Sequence, residues 1–345
     1  MKEEKFKRTK SNIIEFFKNP KEVITFFLPI VITLILLIPL PYYVKLGGGI
    51  IKLENKIDIK ENGDNGKFWA LYVKEAKAVV LTYLLSYVVP SYELEKQEEV
   101  TINDESTENY NYREKLYFTS SIDAATKTAF EKAGKSVKVS SSKFIVIYVD
   151  KESKTELKVG DEIIRINNKD VSSYDDVLSN IKNSTDKVMI TVKRDNREVT
   201  TSNGFMDLNG EKKLGIVISN EIKYTSDPKV KLKFNGKEAG PSGGLMIALT
   251  IYDKLVPEDI TKGKLVVGTG TIDIDGNVGE IGGVKHKLLA ANRKKADIVF
   301  VPYDNYEEAK ALYDKNNYKF DLVPVKTFDD AVNYLEKKFW LLVFL

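Results

Sequence analysis

The sequence predicts an α+β protein behind one apolar N-terminal span, and three observations carry that reading. A run of 22 residues without charge, Val23 to Val44, lies near the N-terminus. A middle block alternates short β-branched strands with one capped helix. In the last third, a turn of glycine, proline and serine opens an apolar helical pattern. The 345 residues leave room for two or three compact domains. Lys and Arg number 53 against 50 Asp and Glu, a net charge of +3, which argues against a dedicated nucleic-acid binder. There is no cysteine and one histidine, His286. Thiol nucleophiles, disulfides, thiolate zinc sites and multi-histidine metal sites are therefore excluded, and no cofactor or metal is expected.

As a helix rising about 1.5 Å per residue, the run from Val23 to Val44 is long enough for a bilayer core of about 30 Å. Pro29 is tolerable as a kink, while Pro39 and Pro41 mark the exit. Tyr42 and Tyr43 sit where an interfacial aromatic belt belongs. Lys2, Lys5, Lys7, Arg8, Lys10, Lys18 and Lys21 precede the run, and only Lys45 and Lys52 follow closely. The positive-inside rule then makes residues 1–22 a cytoplasmic tail, 23–44 a single-pass anchor in the cell membrane, and the rest extracellular. A cleaved signal peptide is the rival, but the stretch is too long and no small-x-small cleavage site follows.

Residues 45–136 form a juxtamembrane segment. Gly47-Gly48-Gly49 reads as a flexible exit. Phe68 to Val89 is apolar and β-branched, and its periodicity does not choose between strand and helix. Glu93 to Glu108 is acidic and reads as a solvated linker. Ser121 to Ala133 reads as a helix, capped by Ser120 or Ser121 and stopped by Gly134. Gly134-Lys135-Ser136 resembles the end of a phosphate-binding loop. Ala129 stands where the first glycine belongs and the helix precedes rather than follows, so no nucleotide is expected.

In the next block Phe144–Val149 is a strand. Leu157 to Asn167 is a turn and strand, Ser173 caps a helix through Val177, Leu178 and Ile181, and Val188–Lys193 is a strand turned by Asp195-Asn196. The run LKVGDEIIRINNKDV, a helix, then KVMITVKRDNREV resembles a PDZ domain over residues 137–202. That resemblance implies capture of a peptide as an added strand. Ser140-Ser141-Ser142-Lys143 replaces the family's glycine-bearing carboxylate loop, which puts recognition of a free C-terminus in doubt and leaves an internal or extended segment equally open.

The chemistry lies in residues 203–338. Gly240-Pro241-Ser242-Gly243-Gly244 precedes an apolar helical pattern and puts Ser242 at a helix start, where backbone N–H groups lack partners. Gly243 and Gly244 would let a substrate backbone approach closely. Taken alone, the motif fits an N-cap serine better than a nucleophile. A nucleophilic serine needs a base. His286 reads as solvated or as a supporting residue. Lys285 and Lys287 remain as bases, and on a helix they point to different sides.

GPSGG, followed after a helix by GTGTIDIDGNVGEIGGVKHKLLAA, resembles the proteolytic domain of Lon-type proteases. The order of modules is similar to that of the membrane-anchored, PDZ-containing Lon-like serine proteases of Gram-positive bacteria. The resemblance implies Ser242 as nucleophile and Lys285 as general base, 43 residues apart. It also implies Thr269 beside the lysine, with Gly240, Gly243 and Gly244 supporting the turn, and Glu238 as a loose match for an acidic residue before the serine. Residues 45–136 would then add strands to the hydrolytic core. The function implied is that of an ATP-independent serine endopeptidase acting on peptides or small proteins outside the membrane. The alternative is a non-catalytic PDZ scaffold at the cell surface. Residues 339–345 form an apolar tail too short to span a bilayer.

Overall fold

The computed structural model describes residues 16–343 apart from 60–65, 104, 209, 235 and 237. Two units are distinguished. One holds the chain up to Leu46 together with Glu75–Val100, and the other holds Gly47–Lys74 and the chain from Thr101 onward.

In the first unit, helix α1 runs from Pro20 to Leu36, with Pro20 in its first turn and the Asn19 side chain accepting from Lys21 N–H. None of its residues is buried. The helix stops at Leu36, because Pro39 and Pro41 lack the N–H that a continuing helix needs. Strand β1 (Pro39–Lys52) takes over. The single helix expected over 23–44 is thus a 17-residue helix followed by a strand. Among the described residues no helix is long and apolar enough to cross a membrane. Lys2, Lys5, Lys7, Arg8 and Lys10, on which orientation rests, lie outside the described residues. Tyr42 and Tyr43 pair with Lys96 and Glu95 of strand β4 (Glu93–Lys96) in antiparallel register. Phe68 to Val89 resolves into both structures that its sequence allowed: strand β3 (Lys67–Val79), then helix α2 (Val80–Ser86). A short helix α3 (Gln97–Val100) follows β4.

The second unit is built on a parallel sheet. Strand β14 (Leu265–Gly268) pairs in parallel with β3 on one side and β15 (Ile298–Pro302) on the other, and β15 pairs with β16 (Asp321–Val325). Parallel strands buried on both faces show alternating loyalties rather than alternating polarity. Val266, Ile298 and Phe300 join one apolar cluster with helices α4 (Thr107–Lys132), α6 (Gly244–Leu255) and α9 (Phe328–Val343). Val267, Val299 and Val301 join a second with α7 (Val284–Arg293) and α8 (Tyr306–Asn316). A small antiparallel pair, β2 (Ile57–Ile59) and β13 (Val230–Leu232), stands apart from that sheet. The backbone of 339–343 continues α9, and residues 344–345 lie outside the described residues.

Two local expectations fail for packing reasons. The three glycines lie inside β1 rather than in a flexible exit. A Cβ on Gly48 would come within 3.0 Å of the His286 carbonyl, so glycine is what lets the strand lie against that backbone. Helix α4 begins at the cap Ser106, whose hydroxyl accepts from Asn109 N–H at 3.1 Å, leaving Ser120 and Ser121 in mid-helix. The stretch read as solvated linker contains Glu105, 3% exposed and paired with Arg113 at 2.9 Å.

The β-rich block has its own apolar core around Phe144, Ile163, Val177 and Ile190. Its sheet order is β12 (Ile216–Asp227), β5 (Ser136–Val149), β6 (Glu162–Ile166), β8 (Lys187–Arg194), β9 (Arg197–Gly204), with β7 (Lys169–Asp170) on β6. A hairpin of β10 (Met206–Leu208) and β11 (Glu211–Lys213) interrupts the return. Helix α5 (Tyr174–Lys182) starts at the expected Ser173, in a capping box with Asp176. Asp195 and Asn196 take positive φ, as a tight hairpin turn requires. Asp161, 1% exposed, holds Arg194 in a forked pair at 2.7 and 2.6 Å. Ser140 to Lys143 lie within β5, paired with β12, and form strand rather than a binding loop.

Candidate active site

Ser242 sits between an ordered turn and a helix. Gly240 takes φ +80° and donates its N–H to the Glu114 carbonyl at 2.9 Å. Pro241 O accepts from Gly244 N–H at 3.1 Å and from the Ser121 hydroxyl of α4 at 3.1 Å. Gly243 is the N-cap of α6, so Ser242 stands one residue outside the helix. The Ser242 carbonyl is taken by Gly270 N–H at 2.8 Å and by the Thr269 hydroxyl at 2.9 Å. The backbone N–H groups of Ser242 and Gly243 make no hydrogen bond among the described residues. Two donors at the positive end of a twelve-residue helix suit a developing oxyanion.

Gly244 has a different reason from the one expected of it. A Cβ there would come within 3.0 Å of both Ser121 Oγ and Ile272, so the residue is glycine to let α6 seat against α4 and the strand exit. It is buried and offers no surface to a substrate. Gly240 likewise serves the turn, since its N–H is already committed. Glu238 faces Lys56 Nζ at 3.4 Å.

The lysine differs from the expectation. Lys285 is exposed. Lys287 is 3% exposed, and its Nζ donates to the Thr269 hydroxyl at 3.0 Å in a buried contact. Thr269, itself 1% exposed, thus links the amine of Lys287 to the carbonyl of Ser242. The helix face explains the choice. Val284, Leu288 and Ala291 mark the buried side of α7. Lys287 falls three residues after the first and four before the last, while Lys285 points about 100° away. This apolar spacing was available in the sequence. His286, expected in solvent or in support, is 1% exposed beneath Gly48.

Sequence reasoning named Ser121 only as a candidate helix cap and did not single out Arg113 or Glu114. Arg113 lies between Glu105 and Glu114, with Nη1 to Glu114 at 3.0 Å; burial works against its charge, and the two carboxylates, Glu105 foremost, outweigh it and hold the guanidinium above its ordinary pKa. The Glu114 carbonyl and the Ser121 hydroxyl then fix both ends of the Gly240-Pro241 step. Their only trace in the sequence is a spacing of seven residues, two helical turns, on one face of α4. Among the described residues no group of acidic or histidine side chains could hold a metal ion.

Comparison with known proteins matches residues 235–337 to the Lon protease (S16) C-terminal proteolytic domain. A Lon protease of Aster yellows witches'-broom phytoplasma is 34% identical over 92 residues, covering 27% of this chain and 11% of that protein. A Lon protease of Malacoplasma penetrans is 31% identical over 131 residues, 36% of this chain and 17% of that protein. A third, from Azospirillum brasilense, is 36% identical over 95 residues, 28% of this chain and 12% of its own length. The chain therefore spans between a ninth and a sixth of these curated relatives, and the residues matched to the family, 235–337, include Ser242, Thr269 and Lys287.

Proposed function

We propose that the chain is a serine endopeptidase in which Ser242 is the nucleophile and Lys287 the general base. One observation carries the reading: a buried lysine amine 3.0 Å from a threonine hydroxyl that itself holds the carbonyl of the serine on a helix-start turn. The match of residues 235–337 to a serine-protease domain supports it. Burial disfavours the ammonium, and a neutral amine can take the Ser242 proton as the hydroxyl attacks a peptide carbonyl. The tetrahedral oxyanion would rest on the N–H groups of Ser242 and Gly243. Protonated Lys287 then delivers its proton to the leaving amine, and water, deprotonated by the same amine, hydrolyses the ester. Thr269 orients the amine.

In this reading α1 embeds in the cell membrane, the N-terminus faces the cytoplasm and the peptidase acts outside. The wholly exposed apolar face of α1 supports this. The β-rich block presents an extended peptide or small-protein segment to Ser242 in PDZ fashion. Because β5 has a neighbour on each side, strand addition would use an end strand, β9 or β12. Hydrolysis proceeds without ATP.

The test is hydrolysis of a fluorogenic peptide library by the full chain in detergent, with and without ATP. Ser242→Ala and Lys287→Ala should lose turnover, and Lys285→Ala should keep it. Rate against pH should rise through a single ionisation as the base is deprotonated. Full turnover by Lys287→Ala would end the assignment.

A further inference from the structure

The stretch from Ala78 to Tyr92 has no charged residue between Lys77 and Glu93, a run of 15. A segment of this length and apolarity is too short to span a bilayer and is normally explained by burial in a core or by lying at an interface. The core explanation fails. Helix α2 has no buried residue, and within the run only Ala78 is buried. Leu81, Leu84, Tyr87 and Val88 are 40%, 53%, 72% and 73% exposed. Leu81 and Leu84 share one side of α2, and Val88 follows in the turn just past its end.

The position of this face within its unit says what covers it. Val80 N–H, at the start of α2, donates to the Ile38 carbonyl at 3.1 Å, just past the end of α1. Ile38 and Leu37 are themselves 49% and 57% exposed. The apolar surface of α1 therefore continues onto α2 without a polar break. Beside the join, Tyr42, Tyr83 and Tyr87 form a chain of rings with centroids 5.4 and 5.6 Å apart, and the Tyr87 hydroxyl donates to that of Tyr83 at 3.0 Å. Amphipathic rings gathered at the end of an apolar helix are the arrangement of a membrane–water boundary. An exposed, contiguous apolar patch calls for an occupant, and continuity with α1 selects lipid.

We infer that the Ala78–Tyr92 segment is a second membrane contact. Helix α2 lies in the boundary between headgroups and acyl chains, with Leu81, Leu84 and Val88 turned into lipid, while the tyrosines remain at headgroup depth. The inference rests on the proposal that α1 is embedded. Because the run is uncharged, attachment is apolar: it persists on pure phosphatidylcholine and is insensitive to salt.

The absence of cysteine makes a clean experiment. Leu84→Cys and Val88→Cys, each carrying an environment-sensitive fluorophore, are compared in the full chain with Val31→Cys in α1 and with Leu208→Cys, an exposed apolar position of the second unit. The chain is reconstituted in phosphatidylcholine vesicles with and without lipids bearing a spin-label quencher. Blue-shifted emission at 84 and 88, quenched by the labelled lipid, with an unshifted, unquenched signal at 208, is the expected result. Quenching at 31 but water-like emission at 84 and 88 would overturn the inference and leave the anchor standing. Blue-shifted but unquenched emission at both would also overturn it, since protein, such as a second copy of the chain, would be the cover. Quenching at 84 and 88 without quenching at 31 would keep the boundary contact and remove the anchor. Water-like emission at all three would remove both.

Discussion

Helices α1 and α6 are both apolar in sequence and opposite in structure. Every residue of Gly244–Leu255 is buried, and no residue of Pro20–Leu36 is. The difference lies in what the chain arranges around each. Helix α6 is wrapped by α4, α9 and the parallel sheet, and even its polar residues are satisfied inside. Thr250 donates to the Met246 carbonyl at 2.7 Å, and Asp253 accepts from Gly66 N–H at 2.8 Å and Ile260 N–H at 2.9 Å. That fixed helix carries Ser242 just before its start. Helix α1 has no such surroundings and presents Phe26, Leu28, Val31, Leu34 and Ile35 outward. Apolar composition says that a helix avoids water, while the neighbouring sequence decides what replaces it.

The largest effect that sharpens this contrast is chemical. Ser242→Ala and Lys287→Ala should each lower kcat by at least about a thousandfold, while Lys285→Ala and Leu34→Ala, both on exposed side chains, should leave peptide hydrolysis near the parent rate. If Lys285→Ala is the inactive variant, the buried end of the comparison has been misassigned. Next comes packing. Leu249→Ala in α6 should cost about 2–5 kcal/mol, read as a lower denaturant midpoint, whereas Leu34→Ala should change stability by no more than about 0.5 kcal/mol and leave that midpoint nearly in place. Equal losses would break the contrast. Gly48→Ala should cost about 1–3 kcal/mol by overpacking. It should also lower kcat, since the His286 carbonyl that the added methyl would push belongs to the helix that carries Lys287.

The smallest effect concerns Asp123 on α4, whose Oδ2 has no hydrogen-bond partner among the described residues. Burial pushes its carboxyl up to about 6, with Lys223 opposing and Glu221 adding. A folded-state pKa above the unfolded one means that stability is lost as pH rises from about 4 to 6, because the unfolded chain ionises first. Asp123→Asn should therefore match the parent near pH 3.5 and melt above it at pH 8. A constant difference across that range would show that the carboxyl is not the cause.

Much of this was readable beforehand where a local rule acts alone. Ser173 with Asp176, the Asp195-Asn196 turn and the glycine-serine entry to α6 obey capping and turn chemistry that needs no distant partner. The parallel sheet was less legible, because β3 meets β14 from far away in the sequence and the registers leave no mark in composition. The glycines of β1 misled because their reason, the His286 backbone, is 238 positions away. Of the residues that the structure brings into contact, Ser242 and Thr269 could be named from a resemblance, whereas the burial of Lys287 required a helix face. Ser121 and Glu114 required the fold itself, since nothing near them in sequence shows that they touch Gly240 and Pro241.

The ribbon of β5 and β12 has one further consequence. It opens with Ser136 opposite Asp227, so the polypeptide departs for the β-rich block and returns from it at facing backbone positions. An excursion whose two ends already touch behaves as a detachable cassette: a short connection could close the gap while the hydrolytic sheet kept its strands and helices. In the function proposed above, what the molecule selects and what it does to the selection would thus be separately exchangeable, and a different block grafted at that rung would redirect Ser242 to another class of chain.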